Sequence, residues 1–182
     1  MQSMKIQERS TLLDAILDQQ REALGADFLA YKNHCYRDMN FCLAFSGAGA
    51  ENMSKVSIAA AFHDLGIWTD RTFDYLGPSR QLAREYLVRT GQGAWAEEIE
   101  TMIEHHHKIT RYKPYTGRLV ESFRKADWTD ISLGILNFGL PSVFVKDVLT
   151  LFPNAGFHKR LTVLTVQRSL THPLSPLPMM KW

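Results

Sequence analysis

The stretch AAAFHDLGIW, residues 59–68, places an imidazole and a carboxylate side by side at the end of an apolar run. The run predicts a buried helix that ends at His63 and Asp64. Capping explains this pair poorly, because an aspartate at a helix C-terminus opposes the helix dipole and a histidine favours it only when charged. Imidazole and carboxylate groups are also ligands of divalent metal ions. From this stretch alone, a helix-end role and a metal-binding role both remain open.

Further metal-ligating residues lie in segments with helical patterns. His34 lies within a long apolar helix, and Asp38, one turn later, either orients this histidine or forms a solvated pair with it. Residues 105–107 are three consecutive histidines at a helix end, of which one or two can face a common site because successive helical residues differ by about 100°. Asp127 lies in the following helix. Taken singly, each has an ordinary explanation as a core histidine, a hydrated helix end or a surface carboxylate.

Taken together, these nitrogen and oxygen ligands on separate helices suit a divalent ion such as iron, manganese, cobalt, nickel or zinc. The order His34, His63-Asp64, Asp127 resembles the H…HD…D signature of the HD-domain superfamily. The Ala-rich helix ending in FHDLG agrees with that signature, and IEHHHKI resembles the superfamily's later histidine pair. The resemblance spans about residues 26–131.

The resemblance implies that four residues bind a first metal ion: His34, His63, Asp64 and Asp127. Asp64 would also be the catalytic carboxylate and would bridge to a second ion where one is present. His105 and His106 match the later histidine pair, which would hold that second ion. Members with two metals often carry a further histidine before this pair, and residues 65–104 contain none. We therefore expect one ion, with a second possible.

The activity that the resemblance implies is a metal-dependent phosphohydrolase that attacks a nucleotide or another small phosphate ester with a metal-activated water. Asp64 would accept the proton of that water, and Asp70 and Asp74 are further candidates. The alternatives are an HD-fold hydratase of a small nitrile-like molecule, similar to cyanamide hydratases, and a non-catalytic metal- or nucleotide-binding domain. The missing histidine weighs against a di-iron oxygenase.

A phosphate substrate needs cationic partners. Arg37 lies one turn from His34, and Lys108 and Arg111 follow the histidine cluster. Arginine favours bidentate contacts with phosphate oxygens. These three residues are the candidate substrate-binding groups, although each has the alternative of an ordinary solvated surface charge.

The elements that must position these groups are helical throughout, and no period-two strand pattern is present. Helical patterns cover residues 10–23, 26–45, 54–63, 78–89, 94–107, 117–131, 141–152 and 157–170. We predict a single all-α domain over residues 1–182, a compact HD-domain-like bundle of seven or eight helices. Residues 141–170 would pack on the signature region, and residues 173–182 would form an extended tail.

Composition restricts the class of protein. The chain has 182 residues, 45% of them hydrophobic, and a net charge of +2, which suits one globular domain and no nucleic-acid polymer as partner. Cys35 and Cys42 lie about 10 Å apart along one helix and should not bridge. The sequence shows no signal-peptide core and no apolar run long enough for a membrane span. We expect a cytoplasmic protein with a small phosphorylated partner, and a homo-oligomer is possible.

Overall fold

The computed structural model describes residues 4–114 and 117–181. Within these ranges the chain forms ten α-helices: α1 Thr11–Gln19, α2 Arg21–Leu24, α3 Phe28–Ser46, α4 Ala50–Phe62, α5 Gly66–Thr69, α6 Leu76–Arg89, α7 Ala96–His105, α8 Arg118–Ile131, α9 Ser142–Leu151 and α10 Phe157–Thr171. Because α2 and α5 are single turns, eight longer helices remain. The predicted all-α bundle of seven or eight helices is confirmed.

Helix α3 is the centre of the bundle. It packs most extensively against α8 and next against α4, and nearly all of its residues are buried. Burial on every face explains why its apolar residues do not follow a single stripe. Cys35 and Cys42 both lie in this helix as free, buried thiols. The polar residues that α3 carries inward must therefore find partners on the neighbouring helices.

Local sequence signals set the helix ends near the predicted positions. Ser10 precedes α1 and its hydroxyl accepts the Leu13 N–H at 3.2 Å, as its role as an N-cap requires. Gly47 ends α3 with a φ of 92°, a conformation that glycine adopts without strain. The segment predicted as one helix over residues 10–23 is instead broken at Gln20 into α1 and α2.

The end of the chain returns to the body of the domain. After α10, the described residues form turns, and Lys181 makes an isolated parallel bridge with Lys108. Ile109 donates its N–H to the Lys181 carbonyl at 2.8 Å, and the Met179 side chain is buried. Trp182, the last residue of the predicted extended tail, lies outside the described residues. Among the described helices, none has the length and apolar character needed to cross a membrane.

Candidate metal centre

Two side chains of α3 begin the site. His34 and Asp38 are separated by one helical turn, so they point to the same side, and both are fully buried. The His34 Nε2 atom lies 3.4 Å from Asp38 Oδ2. Packing of α8 against α3 brings Asp127 and Asp130 to the same region. One helix pair thus supplies a histidine and three carboxylates to the interior.

The end of α4 supplies His63 and Asp64. The Nδ1 atom of His63 lies 2.9 Å from the Ala60 carbonyl, which fixes Nδ1 as the protonated nitrogen and leaves Nε2 facing the site. That Nε2 lies 2.9 Å from His34 Nε2 and 3.5 Å from Asp64 Oδ2. The Tyr31 hydroxyl accepts the backbone N–H of Asp64 at 3.3 Å. The helix end is thereby held so that both side chains of the doublet point inward.

The end of α7 adds two histidines. His106 repeats the arrangement of His63: its Nδ1 lies 2.7 Å from the Ile103 carbonyl, and its Nε2 lies 3.3 Å from Asp64 Oδ1. His107 has its Nδ1 2.9 Å from Asp127 Oδ2, although the two groups are not aligned as a hydrogen bond. Its Nε2 is hydrogen-bonded to the Tyr75 hydroxyl at 2.8 Å.

These side chains form three overlapping groups of possible ligands. In each group, one ligand atom per residue lies within 4.8 Å of all the others. The groups are His34, Asp38, His63 and Asp127; His63, Asp64 and His106; and His106, His107 and Asp127. A single connected cluster therefore joins residues of α3 and α8 with the residues that directly follow α4 and α7.

The chemistry of the cluster fits a divalent metal ion. Both oxygens of Asp38 and of Asp127 and one oxygen of Asp64 are buried without a hydrogen-bond partner among the described residues. Leaving so many buried carboxylate oxygens unpaired is costly. The Nε2 atoms of His34 and His63 lie 2.9 Å apart, so one ion could contact both. The cluster could hold a metal ion.

The protonation states within the cluster follow from burial and charge. Burial lowers the pKa of His63 to about 3, so its Nε2 carries a lone pair. Burial also acts against the charged form of His34, but Asp38 and Asp130 outweigh it and raise the pKa of His34 well above its usual value. Burial acts against ionisation of Asp64, yet the surrounding imidazoles hold the Asp64 pKa well below its usual range. The 2.9 Å contact between His34 Nε2 and His63 Nε2 holds one proton, which a divalent ion would replace.

Behind His34 stands a buried carboxylate and guanidinium pair. The His34 Nδ1 atom lies 2.6 Å from Asp130 Oδ2, and Arg37 donates from Nη2 to the same oxygen at 2.9 Å and from Nε to the other oxygen. Arg37 also donates to the Phe152 carbonyl at 2.9 Å and is only 1% exposed. The prediction that Arg37 binds substrate therefore does not fit its surroundings, because its donors are used in the core.

His105 lies apart from the cluster. It belongs to none of the three groups; its ring faces Tyr112 at 5.0 Å, and it lines a surface cleft with Glu104. The helical rotation of about 100° per residue that turns His106 inward turns His105 outward. The pair that the structure brings to the cluster is accordingly His106 and His107, not the predicted His105 and His106.

The other predicted contacts lie outside the cluster. Arg111, Asp70 and Asp74 are exposed, and Lys108 is partly exposed. The Lys108 carbonyl accepts bonds from Arg124 and from the Trp128 indole, but no described contact joins these four residues to the metal ligands. Their proposed roles toward substrate or proton transfer remain predictions.

The sequence pattern does not predict three members of the arrangement as ligands: Asp38, His107 and Asp130. For Asp38 it predicts either an orienting contact or a solvated pair with His34. Their positions do carry a signal: Asp38 lies four residues after His34, and Asp130 lies three residues after Asp127. Each spacing places a further carboxylate on the helix face that already holds a ligand, His34 in one case and Asp127 in the other.

Aromatic rings close the cluster from solvent. Phe157 at the start of α10 stacks on the His34 ring with centroids 4.0 Å apart, and Phe123 contacts both His63 and His106. All ligands of the first group are fully buried.

Comparison with protein-family models, with curated proteins and with solved structures finds no match to this chain, so the arrangement of its own residues is the basis for any functional conclusion.

Proposed function

We propose that the chain is a metal-dependent phosphohydrolase of the HD-domain superfamily that acts on a small phosphate ester or nucleotide. The observation that carries this proposal is the convergence of His34, His63, Asp64 and Asp127 in one buried cluster. Their ligand atoms come from three separate helical regions, and their carboxylate oxygens include several without hydrogen-bond partners among the described residues. The H…HD…D order of the sequence supports the same assignment.

The residues of the cluster would have different roles in such a site. His34, Asp38, His63 and Asp127 would hold a first ion, for which iron, manganese, cobalt, nickel or zinc are the candidates. When bound, the ion lowers the pKa of a coordinated water and polarises a phosphoryl oxygen. Asp64 is the proposed acceptor of the proton from that water; the surrounding imidazoles keep it ionised and make it a weaker base than an ordinary carboxylate.

Asp64 also lies between His63, a ligand of the first group, and His106, a ligand of the third. Its Oδ2 is 3.5 Å from His63 Nε2, and its Oδ1 is 3.3 Å from His106 Nε2. This position suits a carboxylate shared by two ions. A second ion would use His106 and His107 with Asp127, which also form a group of possible ligands. Lys108 and Arg111 remain the proposed cationic contacts of a phosphate group.

One observation favours a second candidate, the hydratase. The surroundings of the cluster are closed and aromatic, with Phe123, Phe157 and Tyr75 around the ligands. The buried cation next to the cluster, Arg37, is already occupied by Asp130. Such surroundings suit a small neutral molecule, and hydration of a nitrile-like group would use the same activated water.

The test is turnover by protein reconstituted with each candidate metal, measured on a panel of phosphate monoesters, phosphodiesters and nucleotides, and on cyanamide. We expect phosphate release that Asp64→Asn abolishes, because this substitution removes the shared carboxylate. Asp147→Asn, which changes an exposed carboxylate on α9, is the matched control and should retain turnover. Circular dichroism checks that both variants are folded.

Three results would decide against the proposal. Turnover of cyanamide alone would favour the hydratase. Metal binding without any turnover would favour a non-catalytic domain. Equal activity in Asp64→Asn and the unsubstituted protein would show that the cluster takes no part in the reaction.

Elemental analysis of His107→Ala and His105→Ala tests the second ion, because only the loss of His107 should lower a stoichiometry of two metals per chain.

A further inference from the structure

A cleft on the surface is separate from the metal ligands. It has a volume of about 530 Å³ and lies between α10 and the segment formed by α5 and the loop after it. Three arginines line it, Arg71, Arg160 and Arg168, and its lining contains no aspartate or glutamate. Trp68 and Phe73 form part of its apolar wall. A volume of this size suits a small organic molecule.

The arginines of this cleft are mostly without competing carboxylates. Among the described residues, neither Arg71 nor Arg168 makes an ion pair, and Arg168 only donates from Nε to the Ser175 carbonyl at 3.3 Å. Arg160 has its Nε 3.1 Å from Asp27 Oδ2, in a geometry that leaves the N–H without a hydrogen bond. Guanidinium groups that retain free donors bind phosphate oxygens in pairs.

The backbone of Arg71, one of the three arginines of the cleft, is locally strained. Its φ is 53°, in the left-handed region that non-glycine residues rarely adopt. Strain of this kind is concentrated at ligand-binding and catalytic segments. The residue in this conformation lines the cleft. The same loop brings Phe73 to the apolar wall.

Trp68 forms the wall between the cleft and the metal cluster. Its indole N–H donates to Asp27 Oδ2 at 2.9 Å, and its ring lies 4.8 Å from Tyr31. The centroid of the Tyr31 ring in turn lies 6.1 Å from the centroid of the His63 ring. The cleft therefore adjoins the cluster without including any of its ligands, and a molecule in the cleft would be held by its own set of contacts.

We propose that this cleft binds an organic phosphate of nucleoside monophosphate size, with the phosphate on the three arginines and the ring against Trp68 and Phe73. This is a binding site in addition to the metal centre, and the contacts that form it need no metal. The chemistry it recognises is a dianion joined to a flat apolar body. Inorganic phosphate would satisfy only the arginines, and a nucleoside would satisfy only the apolar wall.

Calorimetric titration of the full chain in excess chelator tests this site without the metal. The probes are AMP, adenosine and inorganic phosphate. We expect AMP to bind at least tenfold more tightly than either fragment, because only AMP uses both parts of the cleft. Arg71→Gln and Arg168→Gln should each weaken AMP binding about tenfold, the loss expected for a charged hydrogen-bonding partner, and leave adenosine binding unchanged.

Arg89→Gln, at an exposed arginine outside the cleft, is the matched control and should bind AMP as the unsubstituted protein does. AMP binding that is absent, that requires added metal, or that is equal in Arg71→Gln, Arg168→Gln and the control would overturn the site. Because the titration needs neither metal nor turnover, its failure is distinguishable from a failure of the proposed hydrolysis. Phosphate release with no metal-free AMP binding would leave the enzyme proposal standing and remove this one.

Discussion

At the scale of single residues, Asp130 is the group that orients His34. It accepts from His34 Nδ1 at 2.6 Å, so the opposite nitrogen of the ring is directed into the cluster. Asp130→Asn keeps the size of the side chain but removes its charge. We expect the variant to bind the metal about 10- to 100-fold more weakly, as for other carboxylate partners of ligating histidines. Titration with a competing chromophoric chelator measures this loss.

The control for Asp130 must separate its effect on His34 from a general loss of charge. Asp147→Asn changes an exposed carboxylate on α9 and should leave metal affinity unchanged. The Asp130 variant will also be less stable, because the buried Arg37 guanidinium loses its ionised partner. If folded Asp130→Asn binds the metal as tightly as Asp147→Asn does, Asp130 has only a structural role.

Residue types and their spacing predict part of the site, and the relative rotation of the helices decides the rest. The spacing of His63 and Asp64 at the end of an apolar helix already indicated that capping was a poor explanation. Which of the three consecutive histidines point inward depends on where α7 ends and how it rotates against α8, and neither is fixed by residue types. The same limit applies to Arg37, whose burial against Asp130 depends on a crossing of α3 and α8 between residues 93 positions apart.

At the scale of elements, Gly66 controls how α5 meets the start of α6. A Cβ at this position would lie 2.8 Å from the Tyr75 carbonyl oxygen and 3.0 Å from the Pro78 Cβ. Its N–H donates to Ser79 Oγ at 3.0 Å, which holds the two segments at this close distance. Gly66→Ala should therefore destabilise the fold by about 1–3 kcal/mol, the usual cost of overpacking. Urea denaturation measures this change.

Gly77 is the matched control for Gly66. It lies in the first turn of α6, and a Cβ there meets no atom within 4 Å. Gly77→Ala should be neutral or stabilising by up to about 1 kcal/mol, because it restricts the unfolded chain without a clash. Equal destabilisation by the two substitutions would show that the close approach of α5 and α6 is not what limits the size of residue 66.

The predicted helices differ from the observed ones where burial gives no pattern. Helix α4 begins at Ala50 rather than at the predicted residue 54, and its first residues are exposed or partly exposed, so no apolar period marks them. Helix α5 was not predicted, because four residues are too few to show a period. By contrast, the strongly apolar α3 and the proline-marked α9 begin within two residues of the predicted starts.

At the scale of the whole molecule, the metal-free protein carries an electrostatic cost at its centre. Burial, reinforced by Asp127 and Asp130, raises the pKa of Asp38 well above its usual value despite the opposing effect of His34. Several carboxylate oxygens in this core have no hydrogen-bond partner among the described residues. A metal ion that binds the folded chain should relieve this cost and stabilise the entire domain, because the helices that supply its ligands form the centre of the bundle.

We expect free metal at 100 times its Kd to raise the free energy of unfolding by about 2.7 kcal/mol, and thermal denaturation with and without chelator measures the effect. Asp38→Asn is the informative variant, because it removes a carboxylate whose ionisation burial opposes. In chelator it should be about as stable as the unsubstituted protein, yet it should lose most of the metal-dependent gain. A full gain in Asp38→Asn would mean that the stabilising ion binds away from the α3 ligands, since a domain-wide effect from this cluster requires Asp38.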